Sequence, residues 1–186
     1  MGFKLGAKTR GVILVSLILV TSLLIGGLYV GLRGVGATAI LKPLRRPLPP
    51  APETAELLSK TIDGYELKGW RFPATSKHKG TIVYLHGVAD NRSGSTHIAQ
   101  RFNPLGYDVV AYDSRAHGES DGSICTYGYH EKWDLVRVLE DLDRPIFLLG
   151  SSMGAAVALQ ATPHDQHIQG LVLLETFSNL RAAIRS

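Results

Sequence analysis

The stretch FLLGSSMGAAVAL, residues 147–159, decides how the rest of the chain reads. A short apolar run enters Gly150, Ser151, Ser152, Met153 and Gly154, and small helix-compatible residues follow; this is the sequence form of a strand, a sharp turn and a helix. Such a turn lifts the Ser152 hydroxyl clear of a sheet edge, the geometry of a nucleophile elbow. Gly150 and Gly154 carry no Cβ, so backbone can pass close to strand and helix on either side of the serine. An ordinary Gly/Ser loop would lack the apolar strand before it and the run Ala155, Ala156, Val157, Ala158, Leu159 after it.

Outward from this point strands and helices alternate. Residues 55–61 and 65–72 are short strand-like runs joined through Asp63 and Gly64, a pair that favours a hairpin turn. The run Thr81, Ile82, Val83, Tyr84, Leu85 is almost wholly apolar and β-branched, as a strand buried on both faces should be. Residues 93–105 have helical spacing, with Ser93 or Ser95 as cap and Gly106 as stop, and residues 107–112 form the next buried strand. A loop rich in Gly, Ser and Asp covers 113–128. An amphipathic helix is then expected over 129–142, with Trp133, Val136 and Leu139 or Glu140 near one face. Residues 145–149 are the strand of the elbow, 153–161 its helix and 171–174 a further buried strand. The alternation predicts an α/β fold on a mostly parallel sheet covered on both sides.

The leader is of a different kind. The formal net charge is +4, yet every charge before Glu53 is positive (Lys4, Lys8, Arg10, Arg33, Lys42, Arg45, Arg46), which leaves the remainder mildly acidic. No basic patch suggests nucleic acid. Residues 11–32 contain no charge and are dominated by Val, Ile and Leu; as a helix they would span roughly 33 Å, enough to cross a bilayer. A cleavable signal peptide is the rival, because Ala37, Thr38 and Ala39 resemble a signal-peptidase site, but the apolar core is longer than such peptides use, which favours an uncleaved anchor. Basic residues on both sides leave orientation weakly set, with an extracytoplasmic globular domain as the modest preference.

Residues 42–52, KPLRRPLPPAP, favour extended polyproline conformations. They read as a stalk that holds the domain off the membrane while its arginines meet lipid head groups, or else as a merely solvated linker. The expected division is a basic N-terminus over 1–10, an apolar span over 11–32, a Pro-rich basic linker over 33–53 and one globular domain over 54–186. Cys125 is the single cysteine, so no intramolecular disulfide can form.

In a parallel sheet, ligands bind outside the carboxyl ends of the strands, so the loops there carry the chemistry. After the 81–85 strand come His86, Gly87, Val88, Ala89, Asp90 and Asn91, where a glycine can turn N–H groups toward Ser152. The N–H groups of Val88 and Met153 are the candidate oxyanion hole, since a tetrahedral intermediate needs fixed donors where negative charge develops. A second loop carries Asp113 and His117. Its mixed charges and glycines favour a hydrogen-bonded support for the elbow over a catalytic role. His97 and His130 fall on predicted helices as surface or core histidines, and no metal cluster or phosphate-cradling loop is read, so no cofactor is expected.

Four segments in this order, LHGVADN (85–91), YDSRAHGESDG (112–122), GSSMGA (150–155) and LVLLETFSNL (171–180), closely resemble the α/β-hydrolase fold over roughly residues 54–180. Within it the chain is similar to bacterial, membrane-anchored abhydrolase-domain serine hydrolases. The resemblance implies Ser152 as nucleophile, Val88 and Met153 as oxyanion hole, and an ester, lipid or peptide small molecule as substrate. The 113–120 loop matches a structural DxRGxGxS segment in which Ala116 stands where glycine is usual.

In that family the triad acid and histidine follow the nucleophile along the chain. Here the sequence reaches Ser186 shortly after the sixth predicted strand, and neither partner is found at the expected spacing. His164 and His167 fall at the far end of the helix that starts at Met153, roughly 13 Å from the active edge. Glu175 returns to the correct edge as a weaker candidate acid, with a structural role favoured. Three readings stand: part of a membrane-anchored serine hydrolase acting on esters, thioesters or amides; a non-catalytic hydrolase-like module that binds an acyl ligand or a protein partner; and a prematurely stopped product with an exposed sheet edge.

Overall fold

The computed structural model describes residues 7–177; Lys4 and positions 178–180 of the last quoted segment lie outside the described residues. The chain divides into two units, residues 1–40 and 41–186. Residues 7–40 of helix α1 (Ala7–Leu41) form the described part of the first. Its stretch Ser16–Leu41, with mean hydropathy 1.8, is the one helix among the described residues long and apolar enough to cross a membrane. It runs unbroken past Arg33 and through positions 37–39, so the extended linker begins at 42 rather than at 33.

The second unit is built on six strands among the described residues: β1 (Glu56–Ile62), β2 (Tyr65–Phe72), β3 (Gly80–Leu85), β4 (Tyr107–Tyr112), β5 (Ile146–Ser151) and β6 (Ile168–Leu174), in the order β1-β2-β4-β3-β5-β6. β1 and β2 are an antiparallel hairpin turned by Asp63 and Gly64, both at positive φ, and β2 joins β4 antiparallel. The other pairings, β4 with β3, β3 with β5 and β5 with β6, are parallel. This is the α/β sheet that the alternating pattern predicts.

Period-two alternation along these strands separates two layers of core. Val83, Leu85, Val110, Tyr112, Ile146 and Leu148 face helices α3 (Glu131–Leu139) and α4 (Met153–Ala161). Trp70, Phe72, Ile82 and Val109 face α2 (Ser95–Phe102) through Ala99. Strands β3, β4 and β5 therefore bury both faces, which is why their sequences read as mainly apolar runs.

Three local expectations need correction. The helix after β3 opens as a 3₁₀ turn, Arg92–Gly94, capped by the Asn91 side chain, which accepts the Ser93 N–H; neither Ser93 nor Ser95 is the cap. Helix α3 buries Leu135, Val138 and Leu139 together with Glu131 and Asp134, and leaves Trp133 about half exposed at 47 %. The buried acids are satisfied. Glu131 accepts the N–H and hydroxyl of Thr126 and the Gly128 N–H, and Asp134 takes both forks of Arg115 at 2.7 and 2.6 Å.

The third correction concerns the linker. Residues 42–52 are extended, as their prolines dictate, but they do not stand free of the domain. Leu48 packs against the Trp70 and Phe72 layer, and Arg45 donates to the carbonyls of His117, Gly118, Ser120 and Gly122. Arg46 pairs with Asp90. Both arginines thus bond the protein itself.

Candidate active site

Strands β3 and β5 are neighbours, yet the helix after β3 leaves over one face of the sheet and the helix after β5 over the other. Such a divergence opens a crevice at the carboxyl ends of the two strands. His86, Gly87 and Val88 enter it from β3, and Ser152 and Met153 from β5. A Cβ built on Gly87 would lie 3.5 Å from the Ser152 Cβ, so the two strand ends meet at van der Waals distance.

Ser152 is held at φ 50°, ψ −113°, a conformation that L residues adopt only when the surroundings impose it. What imposes it is backbone packing. A Cβ on Gly154 would sit 2.2 Å from the Leu85 carbonyl oxygen, and one on Gly150 would sit 2.6 Å from Ala155 Cα and N. The helix therefore starts pressed against the ends of its own strand and of β3, and only glycine fits at both points. The bend is tied on its other side by the Ser152 N–H, which donates to the Leu174 carbonyl at 2.8 Å, while the Ser152 carbonyl accepts from Ala156 as helix α4 begins.

Ser152 is partly exposed, and its hydroxyl makes no hydrogen bond among the described residues. The N–H groups of Val88 and Met153 likewise have no acceptor among the described residues. One serine hydroxyl and two uncommitted backbone donors thus sit on adjacent strand ends. Glu175 follows the carbonyl that holds Ser152; it is exposed, lies at φ 53° and has no partner among the described residues.

The histidines divide by location. His164 stacks against Trp133 and His167 bonds Asp165 immediately before β6 begins, so both stand at the opposite edge of the sheet from Ser152. His86 is buried, with Nδ1 donating to the Gly87 carbonyl at 2.7 Å and Nε2 accepting the Ser114 N–H at 3.0 Å. That pattern requires a neutral ring, and burial lowers its pKa to about 4. Both nitrogens are occupied, so His86 is a strut between the β3 end and the 113–122 loop. Sequence reading did not single it out; its signal was a polar residue closing an apolar strand just before glycine.

The loop after β4 is wrapped around Asp113. One carboxylate oxygen accepts the Arg92 N–H at 2.7 Å, the other accepts the Glu119 N–H at 2.9 Å and also pairs with the Arg92 guanidinium, itself buried. Asp113 is fully committed to structure. His117 is buried beside it, its Nδ1 donating to the Arg115 carbonyl at 2.9 Å, and burial lowers its pKa too. Ala116 stands at φ 64°, the left-handed conformation that a glycine would adopt without strain. Behind the elbow, buried Cys125 directs its thiol to Met153 Sδ at 3.2 Å, and burial pushes its pKa up to about 12.

Away from this edge, His78, Asp108 and Asp143 bring three potential ligand atoms within 4.8 Å of one another. Arg71 already stands among them, 2.6 Å from Asp108 and 3.1 Å from Asp143, and fills the place of a cation. An apolar depression of about 290 Å³, lined by Ile82, Phe102, Tyr107, Phe147, Leu149 and Val172, lies on the α2 face of the sheet and does not include Ser152.

Bacillus subtilis YqkD is 38 % identical over 102 residues, covering 52 % of this chain and 33 % of that protein. The lysophosphatidylserine lipase ABHD12 of Bos taurus is 31 % identical over 131 residues, covering 63 % and 32 %. A Pyrococcus furiosus esterase superposes with TM-score 0.63 at 28 % identity, over 74 % of this chain and 57 % of its own. The chain spans about a third of the length of these two curated relatives. The profile described as Serine aminopeptidase, S33 (Hydrolase_4) matches residues 76–185, and the chain belongs to that family of α/β hydrolases.

Proposed function

We propose that the chain carries the nucleophile of a serine hydrolase that cleaves a carboxylic ester, thioester or amide through an acyl-enzyme on Ser152. The observation that carries this reading is the Ser152 elbow, with an unbonded hydroxyl flanked by the uncommitted N–H groups of Val88 and Met153. In the proposed reaction Ser152 Oγ attacks the carbonyl carbon, its proton passes to a base, and the oxyanion is received by the two N–H groups. The alcohol, thiol or amine departs protonated, and water then hydrolyses the acyl-enzyme.

A serine without its base is a weak nucleophile, and removal of triad members leaves only about 10³- to 10⁴-fold catalysis over water. His86 cannot serve as base, since both ring nitrogens are occupied. Glu175 remains the weaker candidate for the acid. The similarity to an esterase and a lysophosphatidylserine lipase supports an ester of small-molecule or lipid type as substrate. The apolar α1 supports a membrane anchor, with the globular unit proposed to lie on the extracytoplasmic side.

The test is labelling of the full chain, in membranes or detergent, with a fluorophosphonate probe. Labelling of the wild type and not of Ser152→Ala is expected. Equal labelling of both removes Ser152 as the activated serine. No labelling of either, in folded protein, favours the alternative of a non-catalytic module that binds an acyl ligand or a protein partner; the absence of an available imidazole beside Ser152 among the described residues is the observation behind that alternative.

A further inference from the structure

The linker bonds to the loop after β3, which carries Val88, and to the loop after β4 beside it. Immediately before the linker, the Leu41 carbonyl accepts the Cys125 N–H at 2.8 Å. The Arg45 guanidinium then spans the 117–122 turn, donating to the carbonyls of His117 (3.1 Å), Gly118 (2.8 Å), Ser120 (2.7 Å) and Gly122 (2.8 Å). One residue later the chain meets the loop that carries Val88. Buried Asn91 donates Nδ2 to the Arg46 and Pro47 carbonyls at 3.2 and 3.4 Å, while its Oδ1 caps the helix entry at Ser93. The Arg46 to Asp90 pair beside it is mostly exposed and contributes little.

The loop so held is strained. Ala89, next after Val88, lies at φ 57°, and such a residue persists only where its neighbours over-determine the backbone. The Asp90 N–H to Gly87 carbonyl bond, at 3.3 Å, closes the turn within the loop and ties it to nothing outside. Pro43, Pro47, Pro49 and Pro50 restrict the linker before it docks, so ordering it costs less entropy than for an ordinary chain.

We propose that residues 41–48 form a strap that positions the oxyanion loop, with Arg45 and Asn91 as the positioning residues at its two fastening points. This rests on the reading of the Ser152 edge as the active edge. The strap fixes the 87–91 loop from outside and, through the 117–122 turn, supports the Ser114 to His86 strut from below. Its release lets Ala89 relax and turns the Val88 N–H away from the Ser152 hydroxyl.

Amide hydrogen exchange on the full chain in nanodiscs tests the strap without requiring turnover. Asn91→Asp keeps the acceptor for the Ser93 N–H but sets a carboxylate oxygen against two carbonyls, and Arg45→Gln removes the fork. Both are expected to speed exchange of amides in 87–91 and 117–122 about tenfold, with β3 and β4 unchanged, whereas Arg46→Gln stays within about twofold of wild type. Where the wild type labels with fluorophosphonate, the first two variants should lower the maximal labelling rate about fivefold at an unchanged half-saturating probe concentration. Unchanged exchange in both loops overturns the proposal, and so does faster exchange throughout β3 and β4, which would mean general destabilisation. A wild type that never labels counts against the Ser152 reading alone, and the exchange result still decides the strap.

Discussion

The Ser114 N–H donates to His86 Nε2 at 3.0 Å, so an imidazole, not a backbone carbonyl, closes the gap between the end of β3 and the loop after β4. A proton on that nitrogen would break the bond and bury a charge. The folded pKa, about 4, lies below the ordinary value of 6.5, so the folded state refuses a proton that the unfolded chain accepts. Stability is fully present above pH 6.5 and declines as the pH falls toward 4. The depressed His117 adds in the same direction, while Asp134, whose carboxyl is raised by burial, opposes both. A loss of roughly 2 kcal/mol between pH 7.5 and 5 is expected in urea unfolding followed through buried Trp70. A flat profile over that interval would show that the ring charges in place.

Gly154→Ala and Gly87→Ala should part company. The first puts a methyl 2.2 Å from the Leu85 carbonyl oxygen, where helix and strand backbone must separate, and a loss of about 3 kcal/mol or failure to fold is expected. The second meets the Ser152 Cβ at an ordinary 3.5 Å and should cost less than about 1 kcal/mol. Denaturant midpoints of the two variants check the ordering; equal costs would mean that the elbow is not set by contact with β3.

Ala116 is buried and stands at φ 64°. Ala116→Gly removes left-handed strain and a single buried methyl, and a net gain of about 0.5–1 kcal/mol is expected from the same unfolding assay. A destabilised variant would show that the methyl packs better than the backbone suffers.

Cys125 carries a thiol with a pKa of about 12 against Met153 inside the domain. Iodoacetamide at pH 8 should leave it unmodified in the native protein and alkylate it fully in urea, as read by intact mass. Stoichiometric reaction of the native state would place the thiol at the surface.

Much of this architecture was legible in the sequence because it rests on signals that a single chain carries. Strands β3, β4 and β5 bury both faces, so their sequences are mainly apolar, and the Gly150-x-Ser152-x-Gly154 spacing encodes a steric demand that the structure displays as contacts of 2.6 and 2.2 Å. Helix α3 was misjudged for a physical reason. Its buried face includes Glu131 and Asp134, which are satisfied by Thr126, Gly128 and Arg115, partners that hydropathy spacing cannot register. The linker misled in the opposite sense. Proline and arginine read as solvated, and nothing local announces four carbonyls of a distant turn converging on Arg45. Asn91 was likewise overlooked as a cap, since Ser93 and Ser95 stood nearer to the helical pattern.

The station of the Ser152 hydroxyl is fixed by missing atoms: two absent side chains, at 150 and 154, let main chain meet main chain. An arrangement written in vacancies leaves the surrounding side chains free to drift. Partly exposed Ser151 and Val88 can change over evolutionary time, and with them the shape and polarity offered to an incoming molecule, while the oxygen between the two glycines keeps its address.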